Sequence, residues 1–207
     1  MTDRAIAAVT GASGFVGSAV VRQLLDAGYA VRAIVRPTSP RANLTGLAVT
    51  TREADMRDFA AMTEVLKGAD VLFHVAADYR LWARDANEIV TNNLSGTDAT
   101  MRAALAARVS RVVYTSSVAT LAVNATTLAA TEDGPLDAAQ AIGAYKRSKV
   151  VAERRVEELV RDQGLNAVIV NPSTPIGPRD LVDMDEQSFQ LPALGGHEYQ
   201  QLRATYT

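Results

Sequence analysis

Two stretches of this 207-residue chain carry side chains whose types and spacing suit proton transfer. In Tyr145-Lys146-Arg147-Ser148-Lys149 a phenol and an amine stand four residues apart on a predicted helix. They therefore share one face, about one turn or roughly 5.4 Å apart along the axis. A free tyrosine titrates near ~10, so exchange near neutral pH requires phenolate stabilisation by about three units, or ~4 kcal/mol. A neighbouring ammonium supplies part of that. In isolation, the favoured reading of Y-x-x-x-K is the exposed face of an ordinary basic helix. The second stretch, Thr115-Ser116-Ser117, ends an apolar strand with hydroxyls. Ser117 can hydrogen-bond a carbonyl or alcohol oxygen while Tyr145 gives or takes its proton, or the serines can simply satisfy a turn.

A third stretch supplies a phosphate site. Val9-Thr10-Gly11-Ala12-Ser13-Gly14-Phe15-Val16-Gly17 joins the apolar run Ile6 to Val9 to a helical pattern from Ser18 to Leu25. Gly11 allows a sharp turn, Gly14 a close backbone approach to a pyrophosphate, and Gly17 tight packing of the new helix. Unpaired N–H groups and the helix dipole then favour an anion at the helix start. The spacing is G-x-x-G-x-x-G and departs from G-x-G-x-x-G, and a plain strand-to-helix turn is the bland alternative. As a dinucleotide site it gives Tyr145 and Lys149 a nicotinamide, whose positive ring would add to the phenolate's stabilisation.

The remaining elements must bring these groups to one edge. Ala30 to Arg36, Leu47 to Glu53, Val71 to Val75, Arg111 to Thr115 and Asn166 to Val170 read as further strands. Helical patterns cover Asp58 to Leu66, Asn87 to Ala107 and Ala141 to Asp162. Apolar strands alternating with helices predict an α/β, doubly wound parallel sheet covered on both faces. Ligands of such sheets lie beyond the carboxyl ends of the strands. Arg36 stands there after strand two, where an acidic residue would hold ribose hydroxyls; an arginine instead suits a 2′-phosphate, so NADP is expected, with NAD second. Arg41 would assist or is an ordinary surface arginine. Asp55, with Met56 beside it, would contact the adenine end or cap the next helix. Ala76 and Ala77 are small residues at a close approach to the cofactor. His74 reads as a packed strand residue.

A net charge of -2, 5% aromatics and no cysteine exclude a basic nucleic-acid module and thiolate chemistry. No apolar run spans a bilayer and no secretion signal opens the chain, so a cytoplasmic location is expected. The two histidines, His74 and His197, form no metal-ligand spacing, and no metal is expected.

Thr10-Gly11-x-x-Gly14-Phe15-x-Gly17, Ser117 and Tyr145-x-x-x-Lys149 resemble the extended short-chain dehydrogenase/reductase family of NAD(P)-dependent epimerases, dehydratases and reductases. His74 to Trp82, Tyr114 to Thr120 and Asn171 to Asp180 look like the hopanoid-associated sugar epimerases, with dihydroflavonol-type reductases as cousins that share the arginine after strand two. The resemblance implies Tyr145 as acid/base, Lys149 as ribose holder and tuner of Tyr145, and Ser117 as polariser of the substrate oxygen. It further implies that Pro172 and Ser173 line the nicotinamide side, and it matches Asn93 to a position near the site, where helix capping is an equal local account. The expected activity is hydride transfer on a sugar or isoprenoid-linked sugar, or on a small carbonyl or alcohol. A cofactor-binding module or truncated fragment without turnover is the second reading. Residues 1–180 are expected to form the cofactor domain. Leu181 to Thr207 reads as a short divergent tail in place of a substrate domain, as in a naturally short, truncated or frame-shifted chain. Asp78, Tyr79 and Trp82 remain as candidate substrate contacts. Flanking helices commonly pair in this family, which makes a homodimer one expectation.

Overall fold

The computed structural model describes residues 4–80, 84–124 and 129–180. Its strands are β1 (Ile6–Thr10), β2 (Ala30–Val35), β3 (Val49–Glu53), β4 (Val71–His74), β5 (Arg111–Thr115), β6 (Leu121–Val123), β7 (Ala130–Pro135) and β8 (Ala167–Val170). The helices are α1 (Phe15–Asp26), α2 (Phe59–Leu66), α3 (Ala86–Ala106) and α4 (Ala144–Gln163). Six strands form one parallel sheet in the order β3-β2-β1-β4-β5-β8. The order reverses at β1, and the crevice at such a switch point is where open α/β sheets take ligands.

Alternation along β1 divides the core. Ala8 joins Ile34, Leu72, Val112 and Tyr114 beneath Met62 and Leu66 of α2, Met101 of α3, and Val156 and Leu159 of α4. Ala7 and Val9 point the other way, with Val31, Ala33 and Val35, onto Val21 and Leu24 of α1. Burying each Leu or Val of this kind contributes about 1.5–3 kcal/mol. Coverage of the two faces is thus unequal among the described residues, and Val168 and Val170 of β8 remain exposed at 38% and 39%.

Strand types and order agree with the sequence reading, and the ends move by local chemistry. α4 starts at Ala144, three residues later than expected, because Gly143 before it holds φ +88. Asp58 caps α2 through the N–H of Ala61, and Asp85 caps α3 through that of Asn87. The antiparallel pair β6–β7 was not expected. Its second strand, Ala-Thr-Glu-Asp-Gly-Pro, has no apolar alternation, so pairing rather than periodicity makes it a strand. Trp82 and the tail over 181–207 lie outside the described residues.

Candidate active site

Register alone gathers the chemistry at one sheet edge. Thr10 pairs with Ile34 and His74, His74 with Tyr114, and Thr115 with Val170. The turns after β1, β2, β4, β5 and β8 therefore open together, carrying Gly11, Arg36, Ala76, Ser117 and Pro172. At the first turn Gly11 has φ +63, and a Cβ there would lie 2.9 Å from the backbone of Ala76. A Cβ on Gly17 would lie 2.0 Å from the Gly11 carbonyl oxygen, so Gly17 is needed for α1 to sit against the turn itself. Gly14 is the N-cap of α1 and brings no capping side chain, and the first turn holds no acid. The N–H groups of Phe15, Val16 and Gly17 precede the first bond within the helix and face the crevice as donors for an anion. Asn43 donates to the Ser13 carbonyl and to that of Arg179, fastening the loop to the segment after β8.

Beneath the loop, the Thr10 hydroxyl accepts from the N–H groups of Val75 and Ala76 at 3.1 and 3.2 Å. Its own proton then goes to His74 Nδ1, 2.9 Å away, which puts the imidazole proton on Nε2. His74 is fully buried, stacked on Tyr114, and its pKa is pushed down to about 3, first by burial and then by the charge of Lys149. It is a neutral strand residue, in agreement with the sequence reading.

Across the edge stand Ser117, Tyr145 and Lys149. Ser117 Oγ accepts from the Ala119 N–H at 3.1 Å, so it serves the turn. Burial raises the Tyr145 pKa, and the nearby Ser117 hydroxyl opposes that rise. Lys149 Nζ donates to the Thr115 carbonyl at 2.9 Å and lies 5.2 Å from the centroid of the Tyr114 ring. Its pKa falls to about 8 through burial, against the pull of Glu153. Pro172 accepts from the Val118 N–H at 3.1 Å, and Asn171 donates to the Ser117 carbonyl at 3.2 Å, so the 171–173 turn is stitched to the Ser117 turn.

Other expected residues divide. Arg36 is exposed and has no ion pair among the described residues, whereas Arg41 is paired with Glu53 at 2.7 Å. Asp55 accepts from the backbone and guanidinium of Arg57, and Asp58 takes the capping role considered for it. Met56 packs its side chain towards Gly96 of α3, with its carbonyl accepting from Thr100. Asp78 is held by Arg80 and Asn92, which lower its pKa to about 2, and Tyr79 is exposed. Asn93 is no cap. It lies buried inside α3, accepting from the Asp78 N–H at 2.6 Å and donating to the Asp78 carbonyl and Ser148 Oγ, both at 2.8 Å. Ser148 Oγ donates on to the Tyr145 carbonyl. Asn43 and Glu153 were not singled out by the sequence reading, although Glu153 is the next residue at four-residue spacing after Tyr145 and Lys149, and Thr120 and Asn171 entered it only as ends of the family-like stretches.

A parallel sheet in this order, entered through a glycine turn at its switch point, defines a Rossmann fold of dinucleotide-binding type. The chain belongs to the NAD dependent epimerase/dehydratase family, whose sequence model matches residues 7–194. It is similar to a putative dihydroflavonol 4-reductase of Synechocystis sp., at 43% identity over 84% of this chain and 50% of the relative. Among solved structures it resembles the crystal structure of gox2253, with 47% identity and a TM-score of 0.81 over 84% of this chain and 53% of that one. It also resembles DesIV, a dTDP-glucose 4,6-dehydratase of Streptomyces venezuelae with NAD and TYD bound, at 28% identity and a TM-score of 0.75, covering 84% and 57% of the two chains. The chain spans about half the length of the curated relatives it matches. Among the described residues no helix is long and apolar enough to cross a membrane.

Proposed function

We propose that residues 1–180 form the cofactor half of an NADP-linked oxidoreductase that transfers hydride at a carbinol or carbonyl carbon. The observation that carries this reading is the meeting of Ser117, Tyr145 and Lys149 with the glycine turn at one sheet edge, where Lys149 Nζ donates to the Thr115 carbonyl at the end of β5. The cofactor fits the residues present: bare N–H groups at the start of α1 suit a pyrophosphate, and the unpaired Arg36 suits a 2′-phosphate. When bound, it would supply or accept the hydride. Thr10, Ser13, Val16, Ala76 and Ala77 shape the crevice, while Asp55, Met56, Pro172 and Ser173 lie along its rim. Ser117 would hold the substrate oxygen, Tyr145 would deliver its proton in reduction and withdraw it in oxidation, and Lys149 would hold the ribose. A ketone or aldehyde is favoured over a nucleotide sugar by the likeness to a dihydroflavonol 4-reductase, at higher identity than to the sugar dehydratase. A homodimer and a cytoplasmic location belong to the same reading.

Oxidation of NADPH is followed with a panel of ketones, aldehydes and nucleotide sugars. Tyr145→Phe should abolish turnover, a loss of at least about a hundredfold, while NADPH binding stays nearly unchanged. Turnover that survives Tyr145→Phe contradicts the reading.

A further inference from the structure

The Tyr145–Lys149 stripe does not stop at Lys149. One turn further along α4 is Glu153, only 4% exposed and deep within a helix–turn contact. Its Oε2 lies 2.9 Å from Thr120 Oγ1 and accepts from Asn171 Nδ2 at 3.0 Å. The same Thr120 hydroxyl lies 2.8 Å from the Ser117 carbonyl, and Asn171 Nδ2 reaches that carbonyl at 3.2 Å. One hydroxyl proton and two amide protons thus serve the Ser117 carbonyl, the Thr120 oxygen and the Glu153 carboxylate. Burying a carboxylate costs several kcal/mol unless it is paired, and a glutamine would accept the same two bonds. A full negative charge has a use here only if something nearby must be positive. Two cations stand near: Arg154, 3.6 Å from Glu153 Oε1 and partly exposed, and Lys149, as buried as Glu153 at 4% exposed and one helical turn away.

We propose that Glu153 is a positioning residue of this site, whose buried carboxylate ties the Ser117 turn to α4 and serves as the counter-charge that keeps Lys149 an ammonium. The inference rests on the roles given above to Ser117, Tyr145 and Lys149. Every charged or titratable group facing the amine enters the balance. His74 of β4 is neutral and Tyr114 of β5 offers its ring face, so neither supplies negative charge. Tyr145 shares the helix. Arg154, 3.6 Å from Glu153 Oε1, draws off part of the carboxylate's field. The field of Glu153 raises the Lys149 pKa against burial, which has brought it down to about 8. Without Glu153 the amine would lose its proton within the working pH range, and with it the charge that stabilises a phenolate and binds a ribose hydroxyl.

The test needs no turnover, so its failure is separate from failure of the proposed activity. Lys149 is one of three lysines, with Lys67 and Lys146, so protein labelled with 13C-lysine gives three Cε resonances to follow against pH. Lys149→Arg assigns the one that matters. In Glu153→Gln, which keeps an acceptor for Thr120 and Asn171, the Lys149 midpoint should fall by roughly one pH unit or more. In Glu153→Asp, which keeps the charge, it should stay within about half a unit of wild type. A Glu153→Gln protein that melts lower but leaves the Lys149 midpoint in place overturns the proposal. Should Glu153→Gln fail to fold, a Glu153→Asp midpoint lowered by a full unit overturns it equally.

Discussion

His74 shows how a single side chain can serve the site without touching a ligand. Its Nδ1 takes the proton of Thr10, and that fixes the Thr10 oxygen as the acceptor joining β1 to the turn after β4. The arrangement demands a neutral ring, and burial keeps it so by lowering the pKa to about 3 from 6.5. The unfolded chain takes up a proton below about pH 6.5 that the folded chain refuses until about pH 3, so folding stability falls with pH across that window. Urea unfolding at a series of pH values should therefore show wild type losing up to about 1.4 kcal/mol per pH unit more steeply than His74→Asn between about pH 6 and 4. Parallel profiles would show that His74 is not held neutral. Burial acts on Lys149 in the same direction, lowering its pKa to about 8, and such shifts are common where titratable groups are arranged for chemistry.

The elements work through close approach. α1 can present its N–H groups at the crevice only because Gly17 lets it rest on the Gly11 carbonyl. A methyl group at that position meets backbone, not a movable side chain, so Gly17→Ala must lift the start of α1. NADPH affinity should fall at least about tenfold, or 1.4 kcal/mol, in a protein whose far-ultraviolet circular dichroism is unchanged. Unaltered affinity would mean that the helix start does not hold the pyrophosphate. At this scale the sequence was most readable where one local rule acted alone. The glycine turn, the apolar runs of β1, β4 and β5, and the Tyr145–Lys149 helix each carry a period or a steric demand. The β6–β7 pair and the role of Asn93 carry neither. A polar strand exists by pairing, and an asparagine within a helix looks the same whether it faces water or, as here, ties α3 to Ser148 and Asp78. Asn43 and Asn171 were hidden for the same reason, since their partners are distant in sequence.

On the scale of the molecule, one sheet edge collects a phosphate cradle after β1, an unpaired arginine after β2, the Ser117 hydroxyl after β5, and the phenol and amine of α4. Parallel register makes that convergence readable from the alternation of elements, whereas the network behind it depends on which side chains meet in the packed core. The substrate side stays with proposals, because the match reaches only about half of each relative. The dinucleotide claim is therefore central, and Arg36 decides its form. Calorimetric titration with NADPH and NADH, of wild type and Arg36→Glu, tests it most directly. NADPH should bind wild type at least about tenfold more tightly than NADH, and Arg36→Glu should lose NADPH affinity while keeping that for NADH. Equal affinity for the two cofactors, or equal loss of both in the variant, would contradict the assignment.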